Sequence, residues 1–436
     1  MHYAGVSCGP LLNSNSDINA SSFHAVSILP PPCGFLGSTA HALALASNQY
    51  GHRSNSAVFN MCMIVIHLTC LFKPRFLIMS SCGNSEPAAE VAAASGCDAS
   101  DTSTMNMSLQ LGCHETEIAG CNVSYVVAGA PCEDADLAVF AVHGAGQSKE
   151  TFLPLFEWLG KQNIFLVAFD LRGHGATSTL DGVNSLSVDV LAQDTMLFVS
   201  MVLGEATSHR QLTQKLPWAL LGHSVGGCVA IATSQLFVAA TTSDCGVDSC
   251  GQNTAAGPHE VPASLVLLDC ATECVATSLK HLEHYLTSVR PLNFESIDAA
   301  VKWHMDRGIY TSSIVARASL SAVLVDDHDG PGCQPLTWRT CLTDYKDDWP
   351  TWASGMSEVF VSLPAEVRKV LVMSSHELMD VPLNIAEMQG SIAVEVIQAG
   401  HQLHENASDK VALCIVRMWQ KLGVLPKYPA QLQTTT

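Results

Sequence analysis

Short apolar segments recur along the chain from about residue 107, and segments of helix length separate them. Near-continuous apolar runs that alternate with helices are typical of strands in a parallel sheet covered on both faces. The predicted strands are Leu137–Val142, Ile164–Phe169, Trp218–Leu221, Ser264–Leu268, Val370–Met373 and Ala393–Ile397. Loose alternation over Glu115–Val127 predicts an antiparallel hairpin before them, and apolar residues at helical spacing over Ser408–Leu422 predict the last helix. The pattern therefore predicts an α/β fold with a mostly parallel central sheet flanked by helices.

One motif in this pattern indicates a catalytic residue. Gly222-His223-Ser224-Val225-Gly226 fits G-x-S-x-G, with an apolar strand before it and a run of small residues typical of a packed helix after it. A serine on a sharp strand-to-helix turn exposes its hydroxyl, and flanking glycines permit the tight backbone. We therefore predict that Ser224 is a nucleophile. The alternative is a glycine-rich turn whose serine only caps the helix.

A serine nucleophile needs a base to take its proton. Functional groups of parallel sheets cluster at the carboxyl ends of the strands. His401 follows the last predicted strand, directly after Gly400, and its place in the chain fits the order Ser, acid, His. We therefore predict His401 as the base. His404 lies further past the strand end, and we expect it to be in contact with solvent.

Two positions compete for the carboxylate that orients the base. Asp269 directly ends the strand that follows the Ser224 helix, whereas Glu377 and Asp380 stand several residues after the next strand. Spacing favours Asp269 only slightly, because a strand-end aspartate can also cap a helix. The sequence alone leaves this choice open.

Two turns at strand ends are rich in glycine. Two backbone N–H groups are needed to bind the oxyanion of a tetrahedral intermediate. We predict Val225, which follows the nucleophile, and Ala145 of the turn His143–Gly146. For the turn Asp170–Gly175 we expect a structural role, with Asp170 and Arg172 bracing loops.

The composition of the chain argues against some classes of partner and cofactor. The chain has 21 lysine and arginine residues against 40 aspartate and glutamate residues, a net charge of −19. This argues against nucleic acid or an anionic membrane as a partner. The 17 cysteines are scattered without a C-x-x-C pair, and the 18 histidines lack metal-ligand spacing. We expect a reducing compartment, the cytoplasm with the nucleus as a second candidate, and neither cofactor nor metal.

The first hundred residues differ from the rest. Residues 1–106 form an extension in which Met1–Ser56 is rich in serine, asparagine, alanine and glycine, and we expect disorder there. The apolar segment Ala57–Phe72 is one candidate membrane anchor, although it is shorter than the span of about 20 residues that crosses a bilayer. The interpretation we favour is that translation begins at Met79. Residues 426–436 are expected to form a flexible tail.

Several motifs extend beyond the G-x-S-x-G turn. DLRGHGAT at Asp170–Thr177 and LLGHSVGG at Leu220–Gly227 are of a kind shared by many hydrolases. More distinctive are RPLNFESIDAAVKWHMDRG at Arg290–Gly308, VARAS at Val315–Ser319, TWRTCLTDYKDDWPTWASGMSEVFVSLP at Thr337–Pro364, Met388–Gly390 and QAGHQLHENASDKVA at Gln398–Ala412. Through these motifs, residues 107–425 resemble the protein phosphatase methylesterase family of α/β-hydrolases.

The resemblance implies an α/β-hydrolase fold with a helical cap, about residues 270–364, inserted after the strand that bears the acid. It implies hydrolysis of the methyl ester on the C-terminal leucine of the type 2A protein phosphatase catalytic subunit. The family's nucleophile falls on Ser224, its base on His401 and its acid on Asp269. The turn after the acid departs from the family, since Cys270–Glu273 stands in place of a Val-Val-Glu-Gly-Thr type turn.

The resemblance also implies that the phosphatase tail is the partner of an otherwise monomeric enzyme, and that cap residues shape its groove. The candidates are Trp303, Tyr310, Arg317, Trp338, Trp349 and Trp352. Residues 239–262 and Asp326–Pro335 are expected to be surface loops. Two other functions stay open: a general hydrolase of small esters or lipids, and a phosphatase-binding regulator with secondary catalysis.

Overall fold

A computed structural model describes residues 112–209, 215–243, 260–326 and 335–427. The N-terminal extension, including Ala57–Phe72 and Met79, lies outside the described residues, as do residues 428–436 and most of the two predicted surface loops. Among the described residues, no helix is both long enough and apolar enough to cross a bilayer.

The central sheet has the predicted architecture. The strands are β1 (Gly112–Ile118), β2 (Cys121–Gly129), β3 (Leu137–Val142), β4 (Ile164–Phe169), β5 (Ser178–Thr179), β6 (Trp218–His223), β7 (Ser264–Leu268), β8 (Asn293–Phe294), β9 (Leu324–Asp326), β10 (Leu336–Trp338), β11 (Arg368–Met373) and β12 (Ala393–Val396). Within the described ranges, nine of them form one sheet in the order β1-β2-β4-β3-β6-β7-β11-β12, with β5 paired to β2. Six neighbouring strands of this sheet are parallel: β4, β3, β6, β7, β11 and β12. The predicted hairpin β1–β2 is antiparallel.

Helices cover both faces of this sheet. They are α1 (Leu153–Leu159), α2 (Val188–His209), α3 (Val225–Ser243), α4 (Thr272–His284), α5 (Ile297–Asp306), α6 (Ser313–Val323), α7 (Met356–Ser362), α8 (Val381–Met388), α9 (Leu403–Asn406) and α10 (Ser408–Leu422). Along β3, Val139 shares a core with α1 and α10, whereas Phe140 shares the opposite core with α2 and α3. Both faces of β3 are therefore buried, which explains why its sequence shows no alternation.

The segment between β7 and β11 contains helices, as predicted, and also a small sheet that the sequence pattern did not predict. In the part that the structure describes, it holds helices α4 to α7, a π-helix over Tyr285–Val289, an irregular 3-10 helix over Leu342–Ala353 and a three-stranded antiparallel sheet in the order β8-β10-β9. Strands of two or three residues are too short to show a hydrophobic period, so the sequence pattern missed this sheet. We call the segment from α4 to Ala353 the cap segment. The predicted cap limits of 270 and 364 stay a prediction.

The first predicted surface loop begins later than expected. Helix α3 continues to Ser243, so residues 239–243 are helical and the prediction was wrong there. Alanine at 239 and 240 favours helix, and the Thr241 hydroxyl satisfies its own hydrogen bond within the helix by donating to the Val238 carbonyl at 2.7 Å.

Sheet register brings the predicted site together. His223 at the end of β6 pairs with Leu268 at the end of β7, so Ser224 and Asp269 leave the sheet side by side. Leu268 also pairs with Val372 of β11, which places Ser374 next to the same edge. The site therefore follows from strand order.

Candidate active site

Ser224 occupies the sharp turn between β6 and α3. Its φ is +53°, in the left-handed region that a non-glycine residue adopts at a cost. The turn is closed by hydrogen bonds from Ser224 N to Leu268 O at 3.0 Å and from Gly227 N to Ser224 O at 2.8 Å. A Cβ on Gly222 would lie 2.4 Å from Gly226 O, and one on Gly226 would lie 2.3 Å from Val142 O. The glycines on either side of Ser224 are therefore required by close backbone approach.

The structure brings the three predicted site residues into one hydrogen-bonded chain. The Ser224 Oγ lies 3.1 Å from His401 Nε2, and His401 Nδ1 lies 2.7 Å from Asp269 Oδ2. A neutral imidazole protonated on Nδ1 donates to the carboxylate and leaves Nε2 free to accept from the serine hydroxyl. This is the geometry in which a histidine can take a proton from a serine.

The competing carboxylates lie elsewhere. Asp380 is the N-terminal cap of α8, where its Oδ1 accepts from Leu383 N, and its Oδ2 accepts from the Ser357 hydroxyl at 2.5 Å. Glu377 is exposed on the surface. Of the three candidates, Asp269 contacts His401.

Asp269 is held by more than the histidine. It is buried, its φ is +49°, and its Oδ1 accepts from both the N–H and the O–H of Ser374, each at 2.7 Å. Burial by itself raises the pKa of Asp269, but the His401 and Ser374 hydrogen bonds outweigh burial and hold the pKa below its usual value. The acid is therefore ionised at neutral pH. No sequence motif marks Ser374, because its contact with Asp269 depends on the pairing of β11 with β7.

A second histidine, His223, contacts the loop that carries His401. His223 is fully buried, with Nδ1 2.9 Å from Gln147 Oε1 and Nε2 2.9 Å from the His401 carbonyl oxygen. Burial lowers the pKa of His223 well below its usual value, so the ring is neutral and donates through one nitrogen at a time. Gln147 Oε1 also accepts from Gly144 N at 3.0 Å, and Gln147 Nε2 donates to Gln402 Oε1 at 2.8 Å. His223 and Gln147 thus tie the predicted oxyanion turn to the loop that carries His401.

His404 is not in contact with solvent, and that prediction was wrong. After His401 the chain turns back into the short helix α9, which buries His404 completely. Its Nε2 lies 2.8 Å from Thr151 Oγ1, and its ring centroid is 4.2 Å from that of His223. Burial lowers the pKa of His404 to about 3, so the ring is a neutral core group.

The two predicted oxyanion donors lie at the same cavity as Ser224. Val225 and Ala145 both line it, and Val225 is the first residue of α3. A Cβ on Gly144 would lie 3.2 Å from the Ser224 Cβ, so the 143–146 turn passes directly beside the serine. Their role in binding an oxyanion stays a prediction.

The turn Asp170–Gly175 braces loops, as expected. Asp170 Oδ1 accepts from Lys149 N, and its Oδ2 accepts from Lys149 Nζ, both at 2.7 Å. Arg172 forms ion pairs with Asp181 and Asp194, each at 2.7 Å. These ion pairs hold the loops around the end of β4.

Comparison with known proteins decides the family. A family model described as "Serine aminopeptidase, S33" matches residues 133–240. The protein phosphatase methylesterase 1 of Candida albicans is 31% identical over 309 residues, which cover 67% of this chain and 74% of that protein. The chain belongs to the protein phosphatase methylesterase family. The member of this family from Schizosaccharomyces pombe is 28% identical over 295 residues, which cover 66% of this chain and 76% of that protein.

Membership of the methylesterase family makes this chain a serine hydrolase with the α/β-hydrolase fold. Among solved structures, the thioesterase domain from the curacin biosynthetic pathway is similar, with 19% identity and a TM-score of 0.49 over 70% of this chain and 99% of that chain.

In this methylesterase-family chain, the cap segment and the sheet edge enclose a cavity of about 290 Å³ beside Ser224. Of the cap residues proposed to shape a groove, three line it: Tyr310, Trp338 and Trp352. Trp303 and Trp349 lie outside that lining, and Trp349 is buried in the core. Arg317 is exposed, forms an ion pair with Asp298 and also lies outside the lining.

Proposed function

We propose that this chain removes the methyl ester from the C-terminal leucine of the catalytic subunit of a type 2A protein phosphatase. One observation carries the proposal: the hydrogen-bonded chain Ser224–His401–Asp269, with distances of 3.1 and 2.7 Å, lies in a member of the methylesterase family. The family's curated relatives are named for this activity, and the triad supplies its chemistry.

Acylation starts at Ser224. Its Oγ attacks the ester carbonyl carbon while His401 Nε2 takes the hydroxyl proton, and Asp269 stabilises the resulting imidazolium. The carbonyl oxygen becomes an oxyanion, to which the N–H groups of Val225 and Ala145 donate. When the carbonyl re-forms, the bond to the methoxy oxygen breaks, and His401 gives its proton to that oxygen so that methanol leaves.

Deacylation repeats these steps with water. His401 takes a proton from a water molecule as it attacks the acyl carbon, and the bond to Ser224 Oγ breaks as His401 returns the proton to the serine. The product is the free C-terminal carboxylate, whose proton passes to solvent. The phosphatase catalytic subunit is then the partner, its tail is the substrate, and the enzyme is otherwise a monomer.

The experiment is to incubate the protein with methylated phosphatase catalytic subunit and to follow loss of the methyl group. Short acyl esters, such as p-nitrophenyl acetate, are assayed in parallel. The proposal expects turnover of the methylated subunit. Rapid turnover of short esters with none of the methylated subunit would show a general hydrolase, and binding of the subunit with no loss of methyl would show a regulator.

We also place the enzyme in the cytoplasm. The thiols of Cys228 and Cys270 are free and hydrogen-bond to each other, with their Sγ atoms 3.7 Å apart, which suits a reducing compartment. Fractionation of cells with an antibody to the cap segment tests this, and recovery in the secreted fraction would contradict it.

A further inference from the structure

Arg290 stands out among the charged groups of the cavity. It lines the cavity beside Ser224, yet among the described residues no carboxylate forms an ion pair with it. Its Nε is buried and has no hydrogen-bond partner there. Buried polar groups in folded proteins nearly always have partners, so the unpaired buried Nε of this partly exposed side chain requires an explanation.

The surrounding structure fixes this cation in place. Its guanidinium carbon lies 4.0 Å from the centre of the Trp338 ring, and Trp338 Nε1 donates to Pro291 O at 2.8 Å. The π-helix Tyr285–Val289 ends in a hydrogen bond from Arg290 N to Tyr285 O at 2.8 Å. This wide turn brings the side chains of Tyr285 and Arg290 to the same cavity, and π-helical turns are frequent at functional sites.

Arg290 differs from the other arginines of the cap segment because it lines the cavity. Arg317 is exposed and pairs with Asp298, whereas Arg307 and Arg339 have no acidic partner among the described residues and donate to the carbonyl oxygens of Trp303 and Ala322. Outside the cap segment, the buried Arg172 pairs with Asp181 and Asp194. Burial lowers the pKa of Arg290 to about 10, which still leaves it cationic at neutral pH. A protein with a net charge of −19 thus keeps one cavity arginine without an acid. A fixed cation of this kind is suited to bind an anion from outside the chain.

The ester itself cannot be that anion. A methyl ester is neutral, and it has to sit at Ser224, whereas Arg290 belongs to the cap segment. The anion must therefore come from another part of the same substrate. We propose that Arg290 binds a carboxylate side chain of the substrate tail, N-terminal to the esterified residue, and so selects acidic tails. This inference rests on the proposed methylesterase function.

The test uses blocked peptides that end in leucine methyl ester, in matched pairs with glutamate or glutamine at each upstream position in turn. For at least one position, the kcat/KM of the wild type should be at least about tenfold higher for the glutamate peptide than for its glutamine counterpart. A ratio of this size corresponds to one charged hydrogen bond. Arg290→Met should bring this ratio to about 1, and Arg290→Lys should retain part of it, because it keeps the charge. Arg317→Met removes the same charge from the cap surface and should keep the wild-type ratio.

Far-UV circular dichroism checks that every variant is folded, and the ratio of the two kcat/KM values does not depend on the concentration of active enzyme. Equal kcat/KM for the acidic and neutral peptides at every position in the wild type would overturn the proposal, and so would an unchanged ratio in Arg290→Met. A second measurement does not depend on methylesterase activity. Blocked acidic peptides without an ester should inhibit p-nitrophenyl acetate hydrolysis better than their glutamine counterparts in the wild type, but not in Arg290→Met.

If no peptide ester is cleaved while this inhibition is seen, the methylesterase proposal fails and the anion site stands. If peptide esters are cleaved with no preference, the anion site fails and the methylesterase proposal stands. Absence of both the preference and the inhibition overturns the role of Arg290.

Discussion

The Nδ1 atom of His401 lies 2.7 Å from the Oδ2 atom of Asp269, while the other oxygen of the same carboxylate accepts two hydrogen bonds from Ser374. Both oxygens of the Asp269 carboxylate are therefore hydrogen-bonded, and the imidazole ring can donate from Nδ1 to it only in one orientation. This fixes the tautomer in which Nε2 faces Ser224.

Loss of the Asp269 charge is predicted to stop catalysis without unfolding the protein. In Asp269→Asn we expect kcat to fall about 10³- to 10⁴-fold, because an amide no longer selects the reactive tautomer or stabilises the imidazolium. Steady-state kinetics on a methyl ester measures this. Asp380→Asn is the matched control: asparagine caps a helix about as well as aspartate does, so this variant should keep α8 intact and leave kcat nearly unchanged. The reverse ranking of the two variants would show that the acid was misassigned.

Ser374 is predicted to be a positioning residue that acts through Asp269. Ser374→Ala removes the hydroxyl donor but keeps the backbone N–H, so we expect kcat to fall about tenfold with little change in KM. Single-turnover kinetics separates the chemical step from binding. Ser375→Ala alters the neighbouring serine, which only caps the 3-10 helix at His376–Leu378, and should not change kcat. Equal losses in the two variants would argue for a general disturbance of this loop.

The close backbone contact at Gly226 predicts a severe effect of a single methyl group. In Gly226→Ala the Cβ would meet Val142 O at 2.3 Å, so the turn must shift, and we expect a loss of about 2 kcal/mol or more in stability together with loss of activity. Urea unfolding followed by circular dichroism measures the first effect. Gly204→Ala is the control, because a Cβ there meets no atom within 4 Å and the residue lies in α2, where alanine should stabilise by about 0.5–1 kcal/mol. A Gly226→Ala protein with wild-type stability and rate would refute the close packing of the turn.

The buried Glu405 is predicted to make the free energy of unfolding fall as pH rises. The side chain is buried, accepts from the Ser319 hydroxyl of the cap segment, and burial raises its pKa from 4.5 to about 8. Between these two pH values the folded protein holds a proton that the unfolded chain has lost. The contribution to stability is therefore fully present below about pH 4.5 and decreases as pH rises towards 8, by on the order of a few kcal/mol.

Glu405→Gln should remove this slope, since the amide stays neutral at every pH. Free energies of unfolding at pH 5, 6.5 and 8 should fall with pH in the wild type relative to the variant. Glu283→Gln changes an exposed glutamate instead and should keep the wild-type slope. Parallel pH curves for the wild type and Glu405→Gln would contradict the burial of a protonated carboxyl.

Most strands of the sheet were predictable from the sequence, because short continuous apolar runs such as β3 and β4 are typical of buried parallel strands. It also predicted α10 with the observed bounds, where one face of the helix is clearly apolar. The hydrogen-bonded pair Ser224 and His401 was predictable because Ser224 directly follows a strand in a short motif and His401 comes after the last strand of the sheet, directly after Gly400. The acid was not, since spacing alone separated Asp269 only slightly from Asp380.

What the sequence missed depends on contacts distant along the chain. Ser374, Gln147 and Arg290 gave no local signal, because each gains its role from a partner or cavity formed by other elements. The placement of His404 was wrong for the same reason: the turn that buries it against Thr151 is set by packing.

The central claim is that Ser224 is the nucleophile that hydrolyses the phosphatase methyl ester. The most direct measurement is the rate at which methylated catalytic subunit loses its methyl group with Ser224→Ala, compared with the wild type. Ser234→Ala serves as the control, since its hydroxyl bonds back to Ala230 O within the same helix and lies outside the cavity lining. We predict that Ser224→Ala lowers the rate at least about 10³-fold while Ser234→Ala keeps it. Demethylation at the wild-type rate by folded Ser224→Ala would contradict the mechanism.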